Sequence, residues 1–364
     1  MNILIFLIIL LVLVLSHEFG HFIVAKKSGI RVDEFAFGFR PRLWSVKKGE
    51  TEYSLNALPI GGYVKIFGED PDDESINGEN KERSFVHKPW HIKAAVMLAG
   101  VTMNFLVAWL LLSVGFMTGL PSSVNSASDT SLIANAELTV TGINKDSPAE
   151  MAGLRVGDRL LHVDVKKDQT DLPSITSLQY FVRKHPNDSI NISLRRANTI
   201  QNIVITPKLD PNTKEPVLGV GIDMIGTLKL PIHKALWQGL KLSGNLFWGT
   251  AVGFYTLIHD SILGHANISS LTGPVGIVGV VGDATKLGFV YLLSFTALIS
   301  INLAVINLIP FPALDGGRLL FLIIEKIKGS RIKPVIANWV NTIGFGILML
   351  LMLVVTYHDI VKLF

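Results

Sequence analysis

Residues 1–21 read MNILIFLIILLVLVLSHEFGH, an unbroken apolar run closed by two histidines and a glutamate. His17 and His21 stand four residues apart, on one face of a helix, where both imidazoles can hold a single zinc ion. Glu18, beside them, can act as general base towards water activated at such an ion. Ionisable groups are expensive at membrane depth and usually functional there. The plain alternative is that the three residues sit at the water interface. No positive charge precedes the run and no small-residue cleavage site follows it, so the stretch reads as a retained helix and not a secretory signal.

The rest of the 364-residue chain carries the same bias. It is 49% hydrophobic and only 17% charged, with a mean hydropathy of +0.44. Soluble domains hold about a quarter charged residues, so the deficit points to lipid. The net charge of +4 is modest, and no basic tract with interleaved aromatics suggests a nucleic-acid partner. Cysteine is absent. Disulfides and thiolate ligands are thereby excluded, and a metal must be held by His, Asp or Glu.

Four stretches are long enough to span a bilayer as helices: Met1–Ala25, Ala94–Leu120, Leu287–Ile309 and Pro334–Tyr357. The loop from Lys26 to Lys93 holds twelve Lys or Arg, and Arg318, Lys326, Lys328, Arg331 and Lys333 fall between the third and fourth spans. Both loops are therefore expected on the cytoplasmic side, with both chain ends and Pro121–Lys286 outside.

A third ligand must complete a catalytic zinc site, which commonly has three protein ligands and an open position. Asp315, in NLIPFPALDGG at 307–317, lies at the inner end of the third span, the same side to which the first helix brings His17 and His21. The alternative is an Asp that only caps the helix beginning at Gly316. Pro310 and Pro312 interrupt helical hydrogen bonding and free backbone groups beside the proposed metal. An extended substrate could pair there, with Asn307 offering a side-chain amide; a simple kink is the alternative. Gly316 and Gly317 suit close backbone packing.

Residues 31–68 hold two β-rich runs joined at Lys47-Lys48-Gly49-Glu50, a hairpin whose apolar tip and Gly61-Gly62 suggest a β-element dipping towards the membrane. Residues 70–81 read as a loop. Residues 133–208 have soluble composition with short alternating strands, and SPAEMAGLRVGDRLLHVD links a turn, a short helix and a strand. The stretch from Pro231 to Asp260 has helical spacing of apolar residues; it either lies in the outer membrane interface or packs on the folded domain. His259, Asp260 and His265 read as solvated residues of a polar loop.

HEFGH at the end of a first membrane helix, GGYVKIFGE in the β-region and NLIPFPALDGG after a later helix together resemble the bacterial site-2 proteases, over nearly the whole chain. SPAEMAGLRVGDRL resembles a PDZ domain, and a PDZ between the second and third spans is similar to the regulator-of-sigma-E protease branch. The resemblance implies zinc held by His17, His21 and Asp315, with Glu18 as catalytic base and Asn307 as a substrate-positioning residue. Gly61, Gly62 and Tyr63 would belong to a re-entrant β-loop that holds unwound substrate. Two departures stand out. Gly100-Val101-Thr102-Met103-Asn104 lacks the proline of the family's Gly-Pro-x-x-Asn, which leaves Asn104 without an assigned role. There is also room for one PDZ domain where Gram-negative members commonly carry two.

The expected architecture is a polytopic α-helical membrane protein with four transmembrane helices, a membrane-associated β-element and an inserted extracytoplasmic PDZ-like α/β domain. It divides into residues 1–120, the first membrane part; 121–230, the PDZ-like domain and flanks; 231–285, the amphipathic helix and loop; and 286–364, the second membrane part. The expected function is a zinc-dependent endopeptidase of a bacterial inner membrane. It would cleave transmembrane segments of single-span proteins, such as an anti-sigma factor or a remnant signal peptide, after an upstream site-1 protease, with the PDZ screening substrates. The rival reading is an inactive membrane adaptor that binds partners through its PDZ. A transporter finds no support, since neither an inverted repeat nor a charged pathway is visible.

Overall fold

The computed structural model describes residues 2–70, 73–124, 133–165, 168–172, 174–196, 199–210, 213–264 and 273–361. In chain order the elements are α1 (Asn2–Lys27), β1 (Val32–Lys48), β2 (Thr51–Ile66), α2 (Asp73–Asn77), α3 (Trp90–Thr118), β3 (Leu120–Ser123), β4 (Ile133–Ile143), α4 (Pro148–Met151), β5 (Arg159–Val165), β6 (Asp168–Asp171), α5 (Ile175–Lys184), β7 (Ile190–Arg196), β8 (Thr199–Ile205), β9 (Lys208–Leu209), β10 (Pro216–Val217), β11 (Val220–Leu228), α6 (Ile232–Ile262), α7 (Pro274–Leu287), α8 (Phe289–Leu308), α9 (Asp315–Lys328) and α10 (Pro334–Val361). They form two compact units, one from Met1–Val114 with Leu236–Phe364 and one from Gly115–Ala235.

The helical unit holds four helices long and apolar enough to cross a membrane: α1, α3, α8 and α10. With apolar residues all round, such helices present no polar face to water, and most of α10 is exposed to the surroundings, as a lipid-facing helix would be. α1 ends where Gly29 adopts φ 68° and the Ile30 amide bonds the Ala25 carbonyl at 3.0 Å, closing the last turn. Ala25 and Ile30 are fully buried there beside Val32, Val64, Ile66 and Val96, so this helix end is fixed against the hairpin and α3. Phe6, Ile9 and Leu13 of α1 pack with Val281 of α7 and Ile299 of α8 further along.

The hairpin is more elaborate than two strands. The first half of β1 pairs on one side with the end of β2 (Phe35 with Val64, Ala36 with Tyr63) and on the other with its start (Phe35 with Tyr53, Ala36 with Ser54). The start of β2 also pairs with the second half of β1, Trp44 opposite Leu55. Each long strand thus doubles back, and Gly62–Ile66 forms one edge of the resulting sheet. Phe39, Leu43, Trp44, Leu55 and Leu58 are exposed on the hairpin.

Two expectations are corrected. The residues from 274 to 285, assigned to the loop after the amphipathic helix, instead belong to the helix α7: Pro274 at the first turn and the Val/Ile face packed on α1 and α8 hold it helical. His259 and Asp260 belong to α6 and not to a loop; both are exposed and pair with each other at 3.1 Å. His265 lies outside the described residues. α6 is 31 residues long and lays Leu242, Leu246, Phe247, Ala251 and Phe254 against α3 and α8. Trp109 Nε1–H donates to the Leu236 carbonyl at 2.8 Å, fixing the start of that contact.

The second unit is a seven-stranded antiparallel sheet in the order β3-β11-β4-β5-β7-β8, with β6 beside β5, covered by α4 and α5. Its core is Leu138, Val140, Leu160, Val163, Phe181, Ile190, Ile192, Leu194 and Ile205. The alternation seen in INISLRR is realised in β7, where Ile190, Ile192 and Leu194 point inward.

Candidate metal centre

α1 presents His17 and His21 one turn apart, both more than nine-tenths buried. α8 stops at Leu308, the chain turns through Pro310 and Pro312 with Ala313 at φ 72°, and α9 begins at Asp315. Asp315 Oδ2 lies 3.1 Å from His17 Nε2 and 3.2 Å from His21 Nε2, and the two Nε2 atoms are 3.1 Å apart. Asp315 does not cap α9: Leu314 is the cap residue, and no side chain caps that helix end.

Among the described residues, His17, His21 and Asp315 are the group of three that could hold a metal ion. With bonds of ~2.0–2.1 Å, two ligands of a tetrahedral zinc ion stand about 3.3 Å apart, close to the separations here. Asp315 Oδ2 is buried and makes no hydrogen bond of ordinary geometry, so it keeps lone pairs for an ion. The His21 Nδ1–H donates to the Val96 carbonyl at 2.8 Å, which leaves its Nε2 lone pair facing Asp315. The donor set, two imidazoles and a carboxylate, suits zinc.

Gly100 makes this arrangement possible. A Cβ there would come 2.5 Å from His17 Cε1 and 2.5 Å from His21 Nε2, filling the space the imidazoles use. On the facing helix, a Cβ on Gly20 would lie 2.8 Å from the Ala99 carbonyl carbon. Two glycines thus allow α1 and α3 to cross closely enough for α3 to back the histidines.

The centre opens into a cavity of about 590 Å³ lined by His17, Glu18, His21, Tyr63 and Asp315 and by the backbone and side chains of Val64–Asp70. Gly62 brings the strand edge to Glu18: its Cβ position would be 3.7 Å from Glu18 Cγ. Glu34 is buried beneath and accepts hydrogen bonds from Ser54 and Tyr63 and from Arg42 at 3.1 Å; these partners hold its carboxyl below the usual range despite its burial. Glu69 and Arg318 form an ion pair in the cavity wall, joining the third residue after β2 to the turn of α9 that follows Asp315.

Of the residues singled out from sequence, His17, Glu18, His21, Tyr63 and Asp315 line one cavity, and Gly62 touches it. Gly61 stands one residue further along, against the Phe39 ring. Asn307, half-buried, Pro310 and Pro312 are not among the lining residues, and Pro312 instead packs on α10 at Gly344. Gly316 and Gly317 sit against the carbonyls of Leu308, Ile309 and Phe311, with no room for a side chain. Gly100, Val96, Glu69 and Arg318 carried no assignment from sequence. The four-residue spacing of Val96, Gly100 and Asn104 was the available signal for the first two.

A model of peptidase family M50 matches residues 5–351. A Clostridium perfringens protein whose name assigns it to the zinc metalloproteases is 35% identical over 351 residues, covering 96% of this chain and 95% of that one. Zinc metalloprotease RasP of Geobacillus kaustophilus is 31% identical, covering 99% of this chain and 97% of its own length. Regulator of sigma-W protease RasP of Bacillus subtilis is 29% identical, with 99% and 98% covered. The match runs through the apolar helices as well as the histidine and aspartate segments, so it is the whole membrane-embedded architecture, and not a short motif, that makes this chain a member of peptidase family M50 and a zinc metalloprotease of the membrane.

Proposed function

We propose that the protein is an intramembrane endopeptidase in which His17, His21 and Asp315 hold zinc, Glu18 is the catalytic base, and the substrate is the transmembrane segment of a single-span membrane protein. The observation that carries this reading is the convergence of three ligand atoms, from helices nearly three hundred residues apart, within 3.1–3.2 Å of one another and beside Glu18.

A bound zinc ion would polarise a water molecule and bring its pKa towards neutrality. Glu18 takes the proton from the attacking water and returns it to the departing amine nitrogen. The scissile peptide must first leave its own helix, because helical carbonyls are already hydrogen-bonded. The edge Gly62–Ile66, paired with β1 on one side among the described residues, offers replacement bonds in strand geometry. Tyr63 lies on that edge and is steadied by Glu34. Gly61 and Gly62 keep the edge free of side chains; Asn307, Pro310 and Pro312 stand outside the cavity lining, so they would meet only a substrate segment that runs on past the turn between α8 and α9. Lys26, Lys27 and the basic residues of α9 surround this end of the bundle, which supports a cytoplasmic orientation of the site, with both termini and the second unit outside a bacterial inner membrane.

The second unit is a PDZ-like filter. β3 borders β11 at Ile225–Leu228, so the edge of β11 at Val220 and Ile222 lies beyond β3. A cavity of about 280 Å³ lies between that edge and α5, lined by Leu178, Val182, Leu218 and Ile222, with Gly219 at φ 73° at its end. An extended peptide end fits such a groove by strand addition. This supports screening of substrates already trimmed by a site-1 protease; an anti-sigma factor or remnant signal peptide fits the chemistry, and the sigma-W regulator among the relatives favours the former.

The test compares wild type with Glu18→Gln for zinc per chain and for single-span proteins that accumulate in the membrane. Equal zinc with spans accumulating in the variant is expected. Continued cleavage by the variant removes Glu18 from the base role, and a wild type without zinc removes the ligand set. Deleting 133–208 should relax discrimination against untrimmed substrates; unchanged selectivity rejects the filter.

A further inference from the structure

α3 turns Val96, Gly100 and Asn104 to α1 at successive four-residue intervals, one face reading the face of His17 and His21. Val96 fixes His21 through its carbonyl. Asn104 occupies the equivalent place for His17: it is fully buried, its amide nitrogen is 3.4 Å from His17 Nδ1, and its Oδ1 is buried with no hydrogen-bond partner among the described residues. The Ser300 hydroxyl donates to the Asn104 carbonyl at 2.7 Å, so this turn of α3 is tied to α8 and cannot drift from the imidazole.

The chemistry of His17 decides which end of the amide belongs at that contact. His17 Nε2 faces His21 Nε2 and Asp315 Oδ2, where a metal ligand must offer a lone pair, so Nδ1 carries the hydrogen. An amide nitrogen towards Nδ1–H would set donor against donor. Turning the amide half a revolution brings Oδ1 to the imidazole hydrogen and at once gives the orphaned oxygen its partner.

We propose that Asn104 is a positioning residue whose amide oxygen accepts from His17 Nδ1–H, fixing the tautomer and ring orientation that present Nε2 to zinc. The proposal rests on the reading of His17 as a ligand. An amide does this without the charge of a carboxylate, which would join Asp315 and Glu18 in a site of low polarisability. In the metal-free protein the same side chain can turn back and donate, so one residue serves both tautomers of His17.

Zinc retention tests the idea without recourse to activity. Full-length protein in detergent is loaded with one zinc, and its release to a chromophoric chelator is followed for wild type, Asn104→Leu, Asn104→Asp and His17→Ala. Leu fills the volume without an acceptor; Asp restores the acceptor. We expect Asn104→Leu to weaken zinc binding roughly 10- to 100-fold, and Asn104→Asp to stay within a few-fold of wild type. The d–d spectrum of the cobalt-loaded forms should change in Asn104→Leu and revert in Asn104→Asp. Wild-type retention by Asn104→Leu overturns the role, and so does equal loss in Asn104→Leu and Asn104→Asp. Should Asn104→Leu fail to fold, Asn104→Ala takes its place in the same comparison. If His17→Ala holds zinc as wild type does, the ligand reading itself fails, and that result is distinct from failure at Asn104.

Discussion

Gly100 on α3 and His17 on α1 approach so closely that a Cβ on Gly100 would lie 2.5 Å from His17 Cε1 and 2.7 Å from its Nε2. The absence of a side chain at one position of one helix sets where the imidazoles of another can stand. Gly100→Ala must push α3 away or rotate both rings. A misplacement near 1 Å in a catalytic constellation can cost on the order of 10²-fold in rate. We expect cleavage to fall by about that factor and bound zinc to drop, measured by metal analysis and by cleavage of a transmembrane substrate. Gly346→Ala, at a helical glycine with nothing within 4 Å, is the matched control and should leave both unchanged.

The Glu69–Arg318 pair links the residues after β2 to the first turn of α9, one turn from Asp315. Both side chains are only partly buried, Arg318 at 38% and Glu69 at 16% exposure, so removing one partner should cost less than breaking a fully buried pair, about 1–2 kcal/mol. Arg318→Met and Glu69→Leu should each lower the unfolding midpoint in detergent, while the double variant recovers most of the loss. Additive losses in the double variant would show that the two side chains act independently.

Glu50, at the hairpin turn, is held between Arg83 and Lys26; these partners bring its carboxyl down to about 2. Its ordinary value in the unfolded chain is 4.5. A depressed carboxylate adds stability that is complete above the unfolded value and fades as pH falls through the folded one. Wild type should therefore exceed Glu50→Gln by about 1–2 kcal/mol near neutrality, after solvent screening. The difference should shrink between pH 4.5 and about 2. Denaturant unfolding at several pH values measures it, and a difference that does not narrow on acidification would assign the effect to packing.

Zinc removal should both stop cleavage and loosen the bundle, because the proposed ligands come from α1 and α9. Ligand binding to the native state alone contributes about 4 kcal/mol at a thousand-fold excess over Kd. Chelation is expected to lower the thermal midpoint, and stoichiometric zinc to restore it. In His17→Ala the midpoint should no longer respond to either.

The first twenty-one residues were enough to read an apolar helix ending in two histidines that share a face, a candidate metal half-site, because a run of Leu, Ile and Val and a four-residue spacing are both local properties of the chain. Asp315 was legible for a similar reason: two prolines stop a helix wherever it goes, and the acid that follows had to lie at that helix's end. The alternation in INISLRR likewise gave a strand with its inward face. The family followed from these segments and the comparisons bear it out.

What only the tertiary structure decided are relations between helices. The sequence placed Gly100 in a motif without a contact and Arg318 among the basic residues of a loop, and gave Glu69 no role; their meaning lies in what stands opposite. α7 escaped notice because glycine lowers helix propensity locally, and only burial of Val281 against α1 and α8 overrides it. The doubled hairpin needed register that no alternation pattern specifies, since β1 pairs with two parts of β2 at once. Local pattern fixes which side chains share a face, whereas close packing of one face on another fixes which atoms meet.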